Sequence, residues 1–362
     1  MNLHRLLNAR AAAGKPVRVA LIGAGKFGSM FLSQVPHTVG LEVPIIVDLD
    51  RDRAREACRT VGWDDARIGA TAFTDDSARA IEDSAIDVVV EATGNPAAGI
   101  RHARAAIAAG KHVVMVNVEA DVLAGPLLAD EARKAGVVYS LAYGDQPALT
   151  AEMVDWARAT GFRVVAAGKG TKYLPIYHDV TPAGVWGHYG LTAAEAQSAG
   201  MNPQMFNSFL DGTKSAIEMA AVANGTGLLP QDEGLFFPAA SKDDLPVVFR
   251  ENTLPGGRLT RRGTVEIASS MYPDGTEVPD NLRWGVYVTF EAVTDYAVKC
   301  FAEYGVHTDP TGRYGSLYRP YHMIGLELGV SIASAVLRNE GGVYFDSATS
   351  APFEIHTMPL VN

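Results

Sequence analysis

The chain has 362 residues, of which 48% are hydrophobic and 20% charged, with a formal net charge of −10. That length gives two domains, each with its own core, and the composition excludes a disordered or fibrous chain. The acidic balance, without any basic run, excludes a nucleic-acid partner held by phosphate neutralisation.

No apolar stretch has the length of a membrane span, so no membrane partner is expected. Met1 to Lys15 lacks the apolar core of a signal peptide, and Cys58 and Cys300 are too few for a disulfide framework; both features lead to the expectation of a cytoplasmic protein.

Leu3 to Ala13 reads as a short amphipathic helix ending at Gly14. The strand-length apolar run Val17 to Ile22 follows, then Gly23-Ala24-Gly25-Lys26-Phe27-Gly28, a helical run, and an apolar run ending on Asp48. A strand, a G-x-G-x-x-G turn and an acidic residue closing the next strand form the fingerprint of a dinucleotide-binding βαβ unit. Gly23 permits the tight turn, Gly25 lets the backbone approach a pyrophosphate, and Gly28 lets helix and strand pack closely, with the anion on the helix N-terminus. Asp48 is placed to accept hydrogen bonds from an adenosine ribose, which disfavours a 2′-phosphate, while Arg51 and Arg53 just beyond favour one. The cofactor is therefore NADPH or NADH.

Asp50 to Gly62 is a helix that starts acidic, and Ile86 to Ala92 is a buried strand closing on a small-residue turn. Ala92, Thr93 and Gly94 there leave room for a nicotinamide ribose. Helices over His102 to Ala109 and Leu127 to Ala135 alternate with strands over His112 to Asn117 and Val137 to Tyr143, which implies a parallel, doubly wound sheet.

From Asp145 the pattern changes. Leu149 to Thr160 is helix, and Phe162 to Ala167 is a strand delivering the polar loop Gly168-Lys169-Gly170-Thr171-Lys172-Tyr173. Leu174 to Gly200 is a long aromatic segment holding His178, Asp179 and His188, whose spacing matches no metal motif. Pro203 to Asn224 reads as one helix, Val265 to Ala268 and Trp284 to Ala292 as strands of a mixed or antiparallel sheet. Pro320 opens a helix whose stretch Met323 to Leu337 is apolar nearly all round and hence buried. The expected class is α/β: an N-terminal Rossmann domain over 1–145, a second α+β domain over 146–317, a buried helix over 318–340 returning to the first domain, and a peripheral tail over 341–362.

Three groups carry candidate chemistry. Asn207, Asp211, Lys214 and Glu218 fall at spacings of four, three and four, so they share one helix face. Lys169 and Lys172 place ammonium groups in a glycine-bearing loop, suited to an anion or to polarising a carbonyl. Arg319 and His322 stand at the start of the Pro320 helix, where the dipole favours an anion and His322 adds a proton donor. A divalent cation, if the chemistry requires one, would find its oxygens on Asp211 and Glu218.

The segments G-A-G-K-F-G, V-D-L-D-R, E-A-T-G-N-P, G-K-H-V-V and A-G-V-V-Y resemble the first domain of homoserine dehydrogenases. Where those enzymes carry an Asn-Lys pair, however, this chain has Asn117-Val118. G-K-G-T-K-Y-L-P at 168–175, N-S-F-L-D-G-T-K at 207–214 and Y-R-P-Y-H-M-I-G-L-E-L-G at 318–329 look like those of the 1-deoxy-D-xylulose 5-phosphate reductoisomerase-like proteins. That resemblance implies an NADPH-linked isomerisation and reduction of a phosphorylated ketose to 2-C-methyl-D-erythritol 4-phosphate, for isoprenoid precursors. It also implies a homodimer formed through the second domain. Lys169, Lys172 and Arg319 would then grip the phosphate, and Lys214 or His322 would polarise the carbonyl. A dehydrogenase of a short hydroxy acid or sugar acid is the alternative enzyme, and a non-catalytic dinucleotide sensor the alternative of another class.

Overall fold

The computed structural model describes residues 2–341. The chain divides into two compact units. The first takes in the residues up to Glu152, Asn224–Gly227 and the segment from Met323; the second takes in Met153–Ala223 and Leu228–His322.

In the first unit β1 (Val17–Ile22), β2 (Leu41–Val47), β3 (Ala72–Thr74), β4 (Val88–Glu91), β5 (His112–Met115) and β6 (Tyr139–Leu141) form one sheet in the order β3-β2-β1-β4-β5-β6. All its pairings are parallel. Alternation along β1 explains why it is central: Val17, Val19 and Leu21 enter one core while Ala20 and Ile22 enter the other. Each such buried Val, Leu or Ile side chain contributes about 1.5–3 kcal/mol. β3 buries only Thr74 of its three residues, which is why no apolar run announces it.

Strand order reverses between β1 and β4, and both end at glycine turns. A Cβ on Gly23 would stand 2.6 Å from the Ala92 carbonyl oxygen, so the turns after β1 and β4 touch at this switch point.

The second unit holds β7 (Arg163–Thr171), β8 (Thr264–Ser269), β9 (Val286–Glu291) and β10 (Tyr314–Arg319), in the order β10-β9-β7-β8. β7 and β8 are parallel and the other pairs antiparallel, so the sheet is mixed. The segment read as one long loop from Leu174 folds on a core of its own, in which Tyr177, Val185, Trp186 and Ala196 pack with Leu210.

Three sequence expectations change. Residues 168–171 belong to β7, so Lys169 is a strand residue and only Lys172 and Tyr173 lie beyond it. The helix expected over Pro203 to Asn224 is two, Pro203–Leu210 and Thr213–Thr226, broken where Gly212 takes φ +89°. Pro320 does not open a helix: Tyr314 to Arg319 pair with β9, and the helix starts at Gly329 and runs to Arg338. Asp295–Glu303, for which no element is expected above, is a helix capped by the Thr294 hydroxyl. The tail expected from Gly341 lies, beyond that residue, outside the described residues.

Glu266, on β8, is fully enclosed and faces only donors: the Gln231 amide and the main-chain N–H groups of Phe236, Phe237 and Ile267. Burial pushes its carboxyl up to about 7, against the lowering effect of those four donors. A raised carboxyl favours the folded state while protonated, so its contribution is fully present below the ordinary value of 4.5 and lost as pH rises to about 7. The shift corresponds to about 3 kcal/mol. Urea unfolding as a function of pH is expected to show that slope in the parent protein and not in Glu266→Gln; parallel pH profiles would refute it.

Candidate active site

The turn after β1 is built for close approach. A Cβ on Gly28 would collide with the Gly23 carbonyl, so only glycine lets the helix Lys26–Gln34 pack against β1. At Gly25 the backbone is extended, and no protein atom lies within 4 Å of where a Cβ would stand. That cradle at a helix N-terminus fits a pyrophosphate. Lys26 and Phe27 are exposed beside it.

Asp48 is buried, and its carboxylate is already engaged. It accepts from Ala24 N at 2.9 Å, Asp50 N at 3.0 Å and the Arg53 guanidinium at 2.7 Å. Burial pushes the carboxyl up, but the Asp50 amide, Arg53 and the Ala24 amide outweigh it and hold it below the ordinary value. Asp48 thus stiffens the glycine turn, and Arg53 compensates its charge. Arg51 is exposed on the same helix.

The turn after β4 is fixed from beneath. The Thr93 hydroxyl donates to the fully buried Glu91 at 2.6 Å, and the His102 ring lies 3.3 Å from the same oxygen. Ala92 and Gly94 flank Thr93, and Asn95 caps the helix Pro96–Ala108.

In the second unit the polar residues gather at the C-terminal end of β7. Lys169 pairs in register with Val286 of β9, and Val286 with Arg319 of β10, so Lys169 and Arg319 stand on one face of the sheet in one row. Two strand spacings put their backbones roughly 10 Å apart. Lys169 is buried and ion-paired with Glu218, also buried, from the helix Thr213–Thr226. A second link runs from the loop after β7 to the break between the two helices: the Tyr173 hydroxyl donates to His178 Nε2 at 2.7 Å, and His178 Nδ1 donates to the Asp211 carbonyl at 3.0 Å. Asn207 donates to the Asp211 side chain at 2.8 Å across the helix break, and Asp211 also accepts from Thr213 N.

Of the four-residue stripe, Asn207 and Asp211 therefore bind each other at the break and Glu218 turns onto Lys169. Lys214 is half-buried one turn before Glu218. Lys172 donates to the His188 carbonyl at 3.2 Å. Arg319 lies 5.4 Å over the Tyr321 ring, on a strand end and not a helix N-terminus, which removes the dipole argument for an anion there. His322 is half-buried and donates through Nδ1 to the Trp284 carbonyl at 2.8 Å. The sequence assigns no role to Glu91 or Tyr173, although they lie in the segments E-A-T-G-N-P and G-K-G-T-K-Y-L-P, and Arg283 stands in a loop with no motif around it. Among the described residues no group of three or more His, Cys, Asp or Glu side chains is arranged to hold a metal ion, and no helix is long and apolar enough to cross a membrane.

Residues 144–328, just over half of the chain, match the family model described as oxidoreductase DRL, catalytic domain. The chain belongs to the DRL oxidoreductases. Residues 17–143 of this DRL oxidoreductase match a second model, described as oxidoreductase family, NAD-binding Rossmann fold. It is thus an NAD(P)-dependent oxidoreductase with a Rossmann unit carrying the nicotinamide cofactor site. No curated protein matches the sequence.

Among solved structures, a homoserine dehydrogenase from Thiobacillus denitrificans is 21% identical, over 61% of this chain and 52% of that one, with a TM-score of 0.44. A putative oxidoreductase, yvaA, from Bacillus subtilis is 13% identical over 91% of each chain, with a TM-score of 0.46. A DOX-P reductoisomerase in complex with magnesium is 16% identical over 54% of this chain and 57% of that one, with a TM-score of 0.37. The DRL chain spans about half the length of the first of these.

Proposed function

We propose that this DRL oxidoreductase reduces a small phosphorylated ketose with NADPH, in the manner of a 1-deoxy-D-xylulose 5-phosphate reductoisomerase. The observation that carries the reading is the end of β7, where a buried ammonium–carboxylate pair, Lys169 and Glu218, is followed three residues later by a second ammonium, Lys172. The paired groups suit proton movement at a carbonyl, and the second ammonium suits an anion. The rearrangement converts the ketone to a branched aldehyde without net redox. Hydride then adds to the aldehyde carbon and a proton to its oxygen, giving 2-C-methyl-D-erythritol 4-phosphate and NADP+. Asn207 and Asp211 order the helix break beside these groups, Arg319 extends the polar row, and Lys214 or His322 polarises the carbonyl.

The preference for NADPH rests on Arg53, which masks the Asp48 charge that would repel a 2′-phosphate. Turnover of 1-deoxy-D-xylulose 5-phosphate, followed by NADPH oxidation and product identification, tests the reaction. Oxidation of hydroxy acids or sugar acids with no turnover of any phosphorylated ketose would replace this reading. For the cofactor, kcat/KM is expected to favour NADPH, and Arg53→Ala to erode that preference by on the order of tenfold. A parent enzyme that prefers NADH would show that Asp48 governs the choice.

A further inference from the structure

We infer that Lys172 and Arg283 are the two arms of an oxyanion subsite in the second unit, shaped for the phosphate group of a small substrate. The chemical identity of the ligand rests on the proposed function; the pairing of the two cations does not.

Leu282 to Gly285 runs against the end of β7. Gly170 N donates to the Gly285 carbonyl at 3.0 Å, and a Cβ on Gly170 would lie 2.9 Å from Arg283 N. Gly170 must be glycine for this segment to pass, and its passage brings the Arg283 backbone within two residues of Lys172. The Lys172 ammonium lies 5.8 Å from the Tyr177 ring centroid, and that ring meets His188 edge-on at 5.3 Å. The Arg283 guanidinium lies 5.0 Å over the Trp284 ring. Neither Lys172 nor Arg283 belongs to an ion pair among the described residues.

The electrostatics bring these groups onto one patch. Burial lowers the Lys172 ammonium below its ordinary value, the Arg283 charge lowers it further, and Glu277 opposes both. Burial raises the Tyr177 and Tyr189 hydroxyls, and the Arg283 charge opposes that rise at each. Two cations that feel each other are stabilised by an anion placed between them.

Phosphate suits the pair better than carboxylate. A guanidinium fork satisfies a carboxylate alone, whereas a fork with an ammonium matches the charge and the three oxygens of a phosphate dianion. Lys169 is a poorer phosphate ligand, because its charge is already compensated by Glu218.

The test is isothermal titration of the full-length protein with inorganic phosphate, without cofactor. The parent protein is expected to bind, Arg283→Ala and Lys172→Ala to bind at least about tenfold more weakly, and Arg283→Lys to fall between them because charge survives and the fork does not. Arg283→Gln, which retains a long side chain, serves if the alanine variant misfolds, and circular dichroism verifies each fold. Unchanged phosphate affinity in the Arg283 variants overturns the inference, as does a parent protein that binds none. The substrate reading fails separately: it falls if no phosphorylated ketose is turned over, whatever the phosphate titrations give.

Discussion

Replacing Lys169 by methionine is expected to destabilise the second unit by about 3–5 kcal/mol, because it leaves the buried Glu218 carboxylate without its counter-charge. The same change should bring turnover close to background. Glu218→Met takes away the carboxylate that faces the buried Lys169 ammonium and should cost a similar amount. The double variant Lys169→Met/Glu218→Met removes both charges from the same enclosed space, and most of the lost stability should return while turnover does not. Urea unfolding of the four proteins forms a complete cycle. Single variants as stable as the parent would mean that the pair is solvated, and a double variant that recovers activity would remove Lys169 and Glu218 from the chemistry.

Gly25→Val should produce the opposite pattern: a folded protein that cannot hold its coenzyme. The backbone at Gly25 is extended and open, so a β-branched side chain meets no protein atom, and losing glycine at the helix cap costs no more than about 1 kcal/mol. The added methyl groups fill the space over the helix N-terminus that a pyrophosphate needs. Nucleotide affinity should fall on the order of 100-fold or more, which is about 2.7 kcal/mol, while the unfolding midpoint moves by only a few degrees. Gly28→Ala is the contrasting control, because its Cβ meets the Gly23 carbonyl and the fold must yield first. Retention of parental NADPH affinity in a folded Gly25→Val would disprove the coenzyme site.

These cases show why the first unit was easier to read than the second. β1, β2, β4 and β5 each carry a buried apolar run, Val19–Ile22, Ile45–Val47, Val88–Val90 and Val113–Met115, and Asp48 closes the second of them. β10, Tyr-Gly-Ser-Leu-Tyr-Arg, has four side chains in or near solvent and no apolar alternation, so Pro320 reads as a helix start when it follows a strand. The helix break was written as Asp211-Gly212, but the helical spacing of Asn207, Asp211, Lys214 and Glu218 outweighed that local signal. Lys169 stands out in the glycine-bearing run, yet its partner lies forty-nine positions away and only the fold brings the two together. Arg283 left no periodic trace, and its place depends on the close passage at Gly170.

The Gly168-Lys169-Gly170 run in β7 has a consequence for how this chain tolerates sequence drift. On the strand face opposite Lys169, a Cβ at Gly168 would collide with the Glu266 carbonyl, and one at Gly170 with the Leu282 carbonyl. Both obstacles are main chain, so no compensating change in a neighbouring side chain can make room. Gly168 and Gly170 should therefore not vary at all, whereas Thr171, half-exposed at the strand's end, is free to wander. In a saturation library selected only for folded protein, Gly168 and Gly170 should be depleted of substitutions as deeply as any core leucine. Lys169 should also be depleted, but a compensating second change at Glu218 should rescue it.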